Sequence, residues 1–259
     1  MVFADAVLAR RLEASEAANA RECTALYPEA AALEVAGGWA VFAGSDSPLS
    51  NAVGIGLNGR VSEAELTDLE RFFEGRGARV AIDLCPLADP GLVEMLGRRG
   101  YRATEFNNVL VRRMAGWERM ETPRVRRTSP EYAELWAYTV GRGFFERTTL
   151  SQEEMDVGRA IFAMPGAMCY LAGAEGGAAA AVYGGLAMLF ADSTIAGFRR
   201  QGLHRELIAA RLNEAMLLGC DLATASTQPA TGSQRNYEQM GFEVAYTKVT
   251  MVRDQPAHC

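Results

Sequence analysis

Arg199-Arg200-Gln201-Gly202-Leu203-His204 stands between an apolar run with strand character, residues 189–198, and a helical pattern over residues 203–218. A glycine-containing turn that enters a helix exposes backbone N–H groups that no intrahelical carbonyl can satisfy. Together with the positive end of the helix dipole they form a site for a pyrophosphate. Gly202 lets a ligand approach the backbone closely, and Arg199 and Arg200 add charge at the rim. The pattern then continues as a strand (221–226), a helix (233–240) and, after Gly241-Phe242, strands ending near Arg253.

The N-terminal half repeats this order. Asn51-Ala-Val-Gly-Ile-Gly-Leu57 reads as a strand, and residues 62–75 as a helix with Ser62 at its N-cap and Glu65 completing a capping box. Leu66, Leu69, Phe72 and Phe73 supply the apolar face of that helix at helical spacing. Residues 78–84 form the next strand. Asp89-Pro90 opens a second helix with proline at its first position, and from Tyr101 the last strands run to Arg113. The pairs Gly100-Tyr101 and Gly241-Phe242 are offset by 241 − 100 = 141 positions, and Pro86 and Pro229 by 229 − 86 = 143. Two landmarks that agree this well mark an internal repeat. Between the halves, residues 114–130 carry Arg119, Arg124, Arg126 and Arg127 with Pro123 and Pro130, an extended basic connection that is either a solvated linker or a surface for an anionic substrate.

The turn after residues 189–198 resembles the coenzyme-A loop of the GNAT superfamily of N-acetyltransferases, Arg/Gln-x-x-Gly-x-Gly/Ala, with Arg199 and Gly202 in register and His204 where Gly or Ala is usual. Ser233-Gln-Arg-Asn-Tyr237-Glu-Gln-Met-Gly241-Phe242 is similar to the family's helix motif ending in Tyr-x-x-x-Gly-Phe, with Ala230 at the usual Asn position. The resemblance implies an α/β fold of two GNAT-like lobes, each a mixed, mostly antiparallel sheet flanked by helices. It places a degenerate lobe at residues 1–118 and a catalytic lobe at 119–259. In the first lobe Asn58-Gly59-Arg60-Val61 lacks the loop pattern, and Leu96 stands where the second has Tyr237. The implied cofactor is acetyl-CoA, held by Ile195, Gly197, Arg199, Arg200, Gln201, Gly202, Leu203 and His204, and by Ser233 and Asn236.

The activity so implied is transfer of an acetyl group to a primary amine of a small molecule, by direct attack in a ternary complex. The amine must lose a proton, the carbonyl must be polarised and the departing thiolate must be protonated. The resemblance puts the Tyr237 hydroxyl beside the sulfur as proton donor. The family's strand glutamate falls at Met188, and Asp192, four residues on, shares its face if the strand is regular. A bulge would turn it away, so the base is Asp192 or a water chain. Glu146 either recognises a cationic amine or is a solvated loop carboxylate. Two rival readings stand beside this one: a coenzyme-A-binding regulator without transfer activity, and an aminoacyl-tRNA-dependent transferase.

The bulk numbers agree with a soluble globular chain: 259 residues, 49% hydrophobic, 22% charged. A net charge of −6 argues against a nucleic-acid partner, which would need a basic face. Cys23, Cys85, Cys169, Cys220 and Cys259 form no C-x-x-C pair, so neither a metal site nor a disulfide framework is expected. The start meets Asp5, Arg10 and Arg11 before an apolar core can form, so no secretion signal is expected. The apolar tract 167–190 carries Glu175 and reads as short strands, not a membrane helix. These features point to the cytoplasm. The oligomeric state stays open, a monomer being compatible with two lobes in one chain. The two histidines, His204 at the loop and His258 in the tail, are both set aside as bases.

Overall fold

The computed structural model describes residues 4–27, 29–45 and 47–254; His258 and Cys259 lie outside them. The chain forms two compact units, one of residues 4–109 with 245–254, the other Leu110–Val244. Among the described residues no helix is long and apolar enough to cross a membrane.

The N-terminal unit runs α1 (Ala6–Thr24), β1 (Ala31–Val35), β2 (Gly38–Phe42), β3 (Asn51–Val53), α2 (Glu63–Glu74), β4 (Val80–Leu84), α3 (Pro90–Arg98) and into β5 (Arg102–Arg113). The capping box that starts α2 is present in full: Glu65 N–H donates to Ser62 Oγ (3.2 Å) and Ser62 N–H to Glu65 Oε2 (2.8 Å). Leu66, Leu69, Phe72 and Phe73 are all buried in one core with Phe42, Ile55, Ile82 and Leu96. Each such side chain contributes about 1.5–3 kcal/mol on leaving water.

The C-terminal unit continues through β6 (Val125–Arg127), α4 (Ala133–Phe145), α5 (Gln152–Ala163), β7 (Met168–Ala172), β8 (Gly176–Tyr183), β9 (Leu186–Thr194), α6 (Leu203–Leu217), β10 (Leu222–Thr227), α7 (Gly232–Gln239) and into β11 (Glu243–Arg253). The tract 167–190 is β7, β8 and the start of β9, as its Gly-punctuated apolar runs predict. Strand β9 stops at Thr194, short of the expected 198, and residues Ala196–Phe198 make a 3₁₀ turn. Helix α7 starts at Gly232, one residue before the expected 233, because Thr231 caps it, accepting from Gln234 N–H (3.2 Å).

The units do not divide at 118/119, where the sequence reading puts the boundary. Residues 110–113 of β5 belong with the C-terminal unit, while residues 245–254, including most of β11, belong with the N-terminal one. In the N-terminal unit the strand order is β1-β2-β3-β4, continued by β11, whose Met251 faces Ile82 and Val252 faces Ala81. The physical reason lies in β11's polar face. Tyr246 OH donates to Glu13 (2.7 Å), Lys248 Nζ to Glu16 (2.5 Å), Thr250 Oγ1 to Asp83 (2.7 Å) and Arg253 to Glu70 (2.7 Å). Buried carboxylates need such partners, and Glu13 and Lys248 are both almost fully buried. In the C-terminal unit the order is β10-β9-β8-β7-β6, with β10 parallel to β9 and the others antiparallel.

Candidate active site

Strands β9 and β10 pair only as far as Leu189 and Ala225, yet β9 runs on to Thr194 and β10 to Thr227. Beyond the last pair the two strands are unpaired with each other, and β9 is bulged. Between the pairs Ala179–Phe190 and Gly177–Ser193, β9 holds one residue more than β8, and Ala191 in this stretch has φ +56°. The bulge changes the face of everything after it. Ala187 and Leu189 pack on Ile208 and Leu212 of α6, whereas Phe190 packs with Trp136 of α4. Regular alternation would send Asp192 after Phe190, towards α4. Instead Asp192 meets Arg211 of α6, and Ser193 Oγ donates to the Val140 carbonyl of α4 (2.7 Å). Asp192 therefore does not share the face of Met188.

Arg211 is fully buried and spends all its donors here. Its Nε donates to Leu207 O (3.0 Å), Nη1 to Ala179 O (3.1 Å) and Asp192 Oδ2 (3.2 Å), and Nη2 to Asp192 Oδ1 and the Tyr237 hydroxyl (3.4 Å). Tyr237 OH donates to Asp192 Oδ2 at 2.6 Å. His204 Nε2 lies 3.0 Å from Asp192 Oδ1, and its Nδ1 lies 2.9 Å from Asn236 Nδ2. A carboxylate can only accept and an amide N–H only donate, so the network assigns the ring proton to Nε2 and leaves Nδ1 as acceptor. Burial alone would raise the Asp192 pKa, but the Arg211 charge and the His204 hydrogen bond overcome it and hold the carboxyl well below its ordinary range. Burial, with the Asp192 charge adding to it, pushes the Tyr237 hydroxyl far above its ordinary value.

A cavity of about 650 Å³ opens beside this network. Its walls come from the end of α4 (Gly143, Phe144, Glu146), from Asp192, Ser193 and Thr194 of β9, from residues 198–200 and 202–205, and from α7 and the loop before it. The turn into α6 has the form the sequence predicts. Gly202 is in the left-handed region at φ +83°, and no side chain caps the helix. Helix α2 differs at the same place in the repeat: Ser62 and Glu65 cap it, and Glu63 and Glu65 put negative charge in its first turn. Arg200, Arg205 and Arg235 line the cavity, are exposed, and have no ion-pair partner among the described residues.

Of the residues expected to hold a cofactor, Arg199, Arg200, Gly202, Leu203, His204, Ser233 and Asn236 line the cavity, and Ile195, Gly197 and Gln201 do not. Ile195 N–H is used by Glu175 O (2.9 Å) and Gln201 O by Arg124 Nη2 (3.0 Å). Arg199 spends its guanidinium on the end of β9, at Thr194 O (3.0 Å), and on the end of α4, at Gly143 O (3.2 Å) and Glu146 (2.7 Å). Glu146 is thereby ion-paired, not merely solvated. Asp192 lines the cavity; Tyr237 does not, because its ring is buried and its hydroxyl is turned to Asp192. The basic connection is likewise engaged, Arg124 with Glu206 and Arg127 with Glu214 (2.9 Å). Cys23, Cys85, Cys169 and Cys220 are all buried and away from the cavity, and burial pushes the Cys169 thiol up to about 12.

The sequence reading missed Arg211, Arg205, Arg235, Phe144 and Phe198. Arg211 had a legible signal: it falls among Leu207, Ile208 and Leu212 on the apolar face of α6, where an unpaired cation could not stay. Arg205 and Arg235 had none, since exposed arginines on helices are common.

No family model matches the chain, and no curated protein sequence does. Solved structures do resemble it. A GCN5-related N-acetyltransferase from Kribbella flavida superposes with a TM-score of 0.67 over 96% of each chain at 17% identity. A tandem GNAT protein from the clavulanic acid biosynthesis pathway gives 0.59 over 90% of this chain and 86% of that one, at 13% identity. A functionally unknown conserved protein from Staphylococcus epidermidis gives 0.62 over 90% and 97%, at 10% identity. The chain has the GNAT fold, α/β with two lobes, as its two motifs imply.

Proposed function

We propose that this GNAT-fold chain is an acetyl-CoA-dependent N-acetyltransferase whose one cofactor site is the cavity of the C-terminal unit. The observation that carries the reading is the uncapped start of α6, with Gly202 at φ +83° and three cations without counter-ions among the described residues, Arg200, Arg205 and Arg235, on the same cavity. Free N–H groups and cations together suit a polyphosphate. The residues present fit the cofactor, because the misfit within the loop pattern, His204, has its ring tied at both nitrogens to Asp192 and Asn236. The start of α2, capped by Ser62, gives the N-terminal unit no such cradle; α6 also carries an acid in its first turn, Glu206, but there Arg124 pairs with it.

Acetyl-CoA, when bound, supplies an acetyl group as a thioester. The chain's residues then have three tasks. Leu203, His204 and Arg205 present the first N–H groups of α6, while Arg200, Arg205 and Arg235 balance phosphate charge. The end of β9, unpaired with β10, offers backbone to the cofactor's arm. Asp192, ionised but engaged at both oxygens by Arg211, His204 and Tyr237, holds the shape of the cavity wall. Its depressed pKa makes it a poor proton acceptor, so water takes the amine proton and supplies one to the departing thiolate. We carry the acceptor class over from the sequence resemblance, a primary amine of a small molecule.

One observation favours a second reading, a coenzyme-A-binding regulator: Tyr237 and Asp192 are both committed to one another, leaving no free acid or base among them. A panel of amines, including aminoglycosides, polyamines, amino acids and amino sugars, assayed by free-thiol release from acetyl-CoA, separates the two. Turnover with any member supports transfer; cofactor affinity without thiol release across the panel supports the regulator.

A further inference from the structure

The start of α6 has few restraints of its own. No side chain caps it, Arg200 and Gly202 just before it are both in the left-handed region, and helix ends fray when nothing holds them. Two arginines lace the turn from outside, Arg199 to Thr194 O and Gly143 O, and Arg124 to Gln201 O. Within the first turn of the helix itself, the side chain tied across to both neighbouring walls is His204. Its Nε2–H donates to Asp192 on the bulge of β9, and its Nδ1 accepts from Asn236 on α7. The ring also stands edge-to-face on Tyr237, with centroids 5.6 Å apart and planes at 84°.

These three contacts join three of the elements that wall the cavity, β9, α6 and α7. Arg205 follows His204 directly on α6, and Arg235 precedes Asn236 directly on α7. We infer that His204 is a positioning residue that pins the start of α6 to the β9 bulge and to α7, and so sets the gap between the cationic walls that receive the anionic cofactor. The small residue usual at this place in the family would leave that gap to be set by backbone packing alone. Here the bulge carries a carboxylate already neutralised by Arg211; Arg211 holds α6 to it about two turns further along and Tyr237 holds α7, while the imidazole is the contact that brings in the first turn of α6. The Asp192 arm is the stronger, since a hydrogen bond to an ionised acceptor has about twice the strength of a neutral one. The inference rests on the cofactor reading above.

The test is calorimetric affinity for coenzyme A and acetyl-CoA in the full chain, with melting curves and with the split between KM and kcat once an acceptor is known. His204→Ala removes both arms and should weaken coenzyme A binding by about ten- to a hundredfold, as loss of one charge-assisted and one neutral hydrogen bond implies. KM for acetyl-CoA should rise with it, while kcat at saturation stays within about threefold. His204→Gln keeps an N–H that can reach Asp192 and should recover most of the affinity. Unchanged affinity in His204→Ala overturns the inference and leaves the cofactor site standing. A folded His204→Gln, shown by its melting curve, that binds as poorly as His204→Ala also overturns it. Wild-type protein that binds no coenzyme A removes the cofactor reading, and this inference with it.

Discussion

Replacing Asp192 by Asn removes one charge and almost no volume, and it tests the network at its centre. In the native structure that carboxylate accepts from both Nη groups of Arg211, from His204 Nε2 and from the Tyr237 hydroxyl. Arg211 is fully buried, and the other acceptors of its guanidinium are all neutral: the main-chain carbonyls Leu207 O, Ala179 O and Phe190 O, and the Tyr237 hydroxyl. Breaking a buried ion pair by removing one partner costs about 3–5 kcal/mol, because the remaining charge has neither water nor counter-ion. The Asn amide also presents donors to a site filled with donors, which moves the cost towards the upper end of that range. Urea unfolding at pH 7, followed by Trp117 and Trp136 in a Trp39→Phe background, reads the C-terminal unit; with a slope of about 1–3 kcal/mol per molar, the midpoint should fall by about 1 M or more. The sign in acid follows from the depressed pKa. The wild-type advantage is complete above the ordinary carboxylate value of 3.8 and is lost as pH falls towards the lower folded value. The difference between wild type and variant should thus be constant from about pH 5 to 8 and shrink below about pH 4. A loss under about 1 kcal/mol at pH 7, or a difference that persists in strong acid, would refute the claim that Asp192 is the ionised counter-charge of Arg211.

Three further outcomes follow from particular contacts. Tyr237→Phe removes a buried hydrogen bond to a charged acceptor and should lower stability by about 1.5–3 kcal/mol with kcat changed less than about tenfold; a hundredfold fall in kcat with an unchanged melting curve would restore Tyr237 as proton donor. Gly143→Ala would set a Cβ 2.2 Å from Ser193 Oγ and 3.0 Å from the Thr194 carbonyl carbon, which should cost about 1–3 kcal/mol; an unchanged melting temperature contradicts the close seating of α4 on β9. A fragment of residues 119–259 lacks residues 110–113 and carries Tyr246 and Lys248 without Glu13 and Glu16; it should be insoluble or unfolded, and a folded, active fragment would contradict the assignment of β11 to the N-terminal unit.

Much of this architecture is legible in the sequence where the signal is local. The Ser62/Glu65 box and the spacing of Leu66, Leu69, Phe72 and Phe73 identify α2, and Gly202 before Leu203 identifies the turn into α6. Signals that depend on a distant partner are not legible. The bulge at Ala191 exists only relative to β8, and residues 186–190 are apolar throughout, so alternation could not reveal a change of face. The polar face of β11 makes sense only against Glu13, 233 positions from Tyr246. Tyr237 shows the same limit within the site: the motif places it on α7, but whether its hydroxyl meets the cavity or Asp192 depends on that bulge.

The central claim is that the uncapped start of α6 holds one acyl-CoA per chain, and the capped start of α2 holds none. Isothermal titration of acetyl-CoA into the full chain, beside a Gly202→Asp variant, tests it most directly. The account predicts one equivalent bound, affinity that falls with added salt, and at least about a tenfold loss when a carboxylate faces the phosphates. Two equivalents per chain, no binding by the wild type, or equal affinity in Gly202→Asp would contradict it.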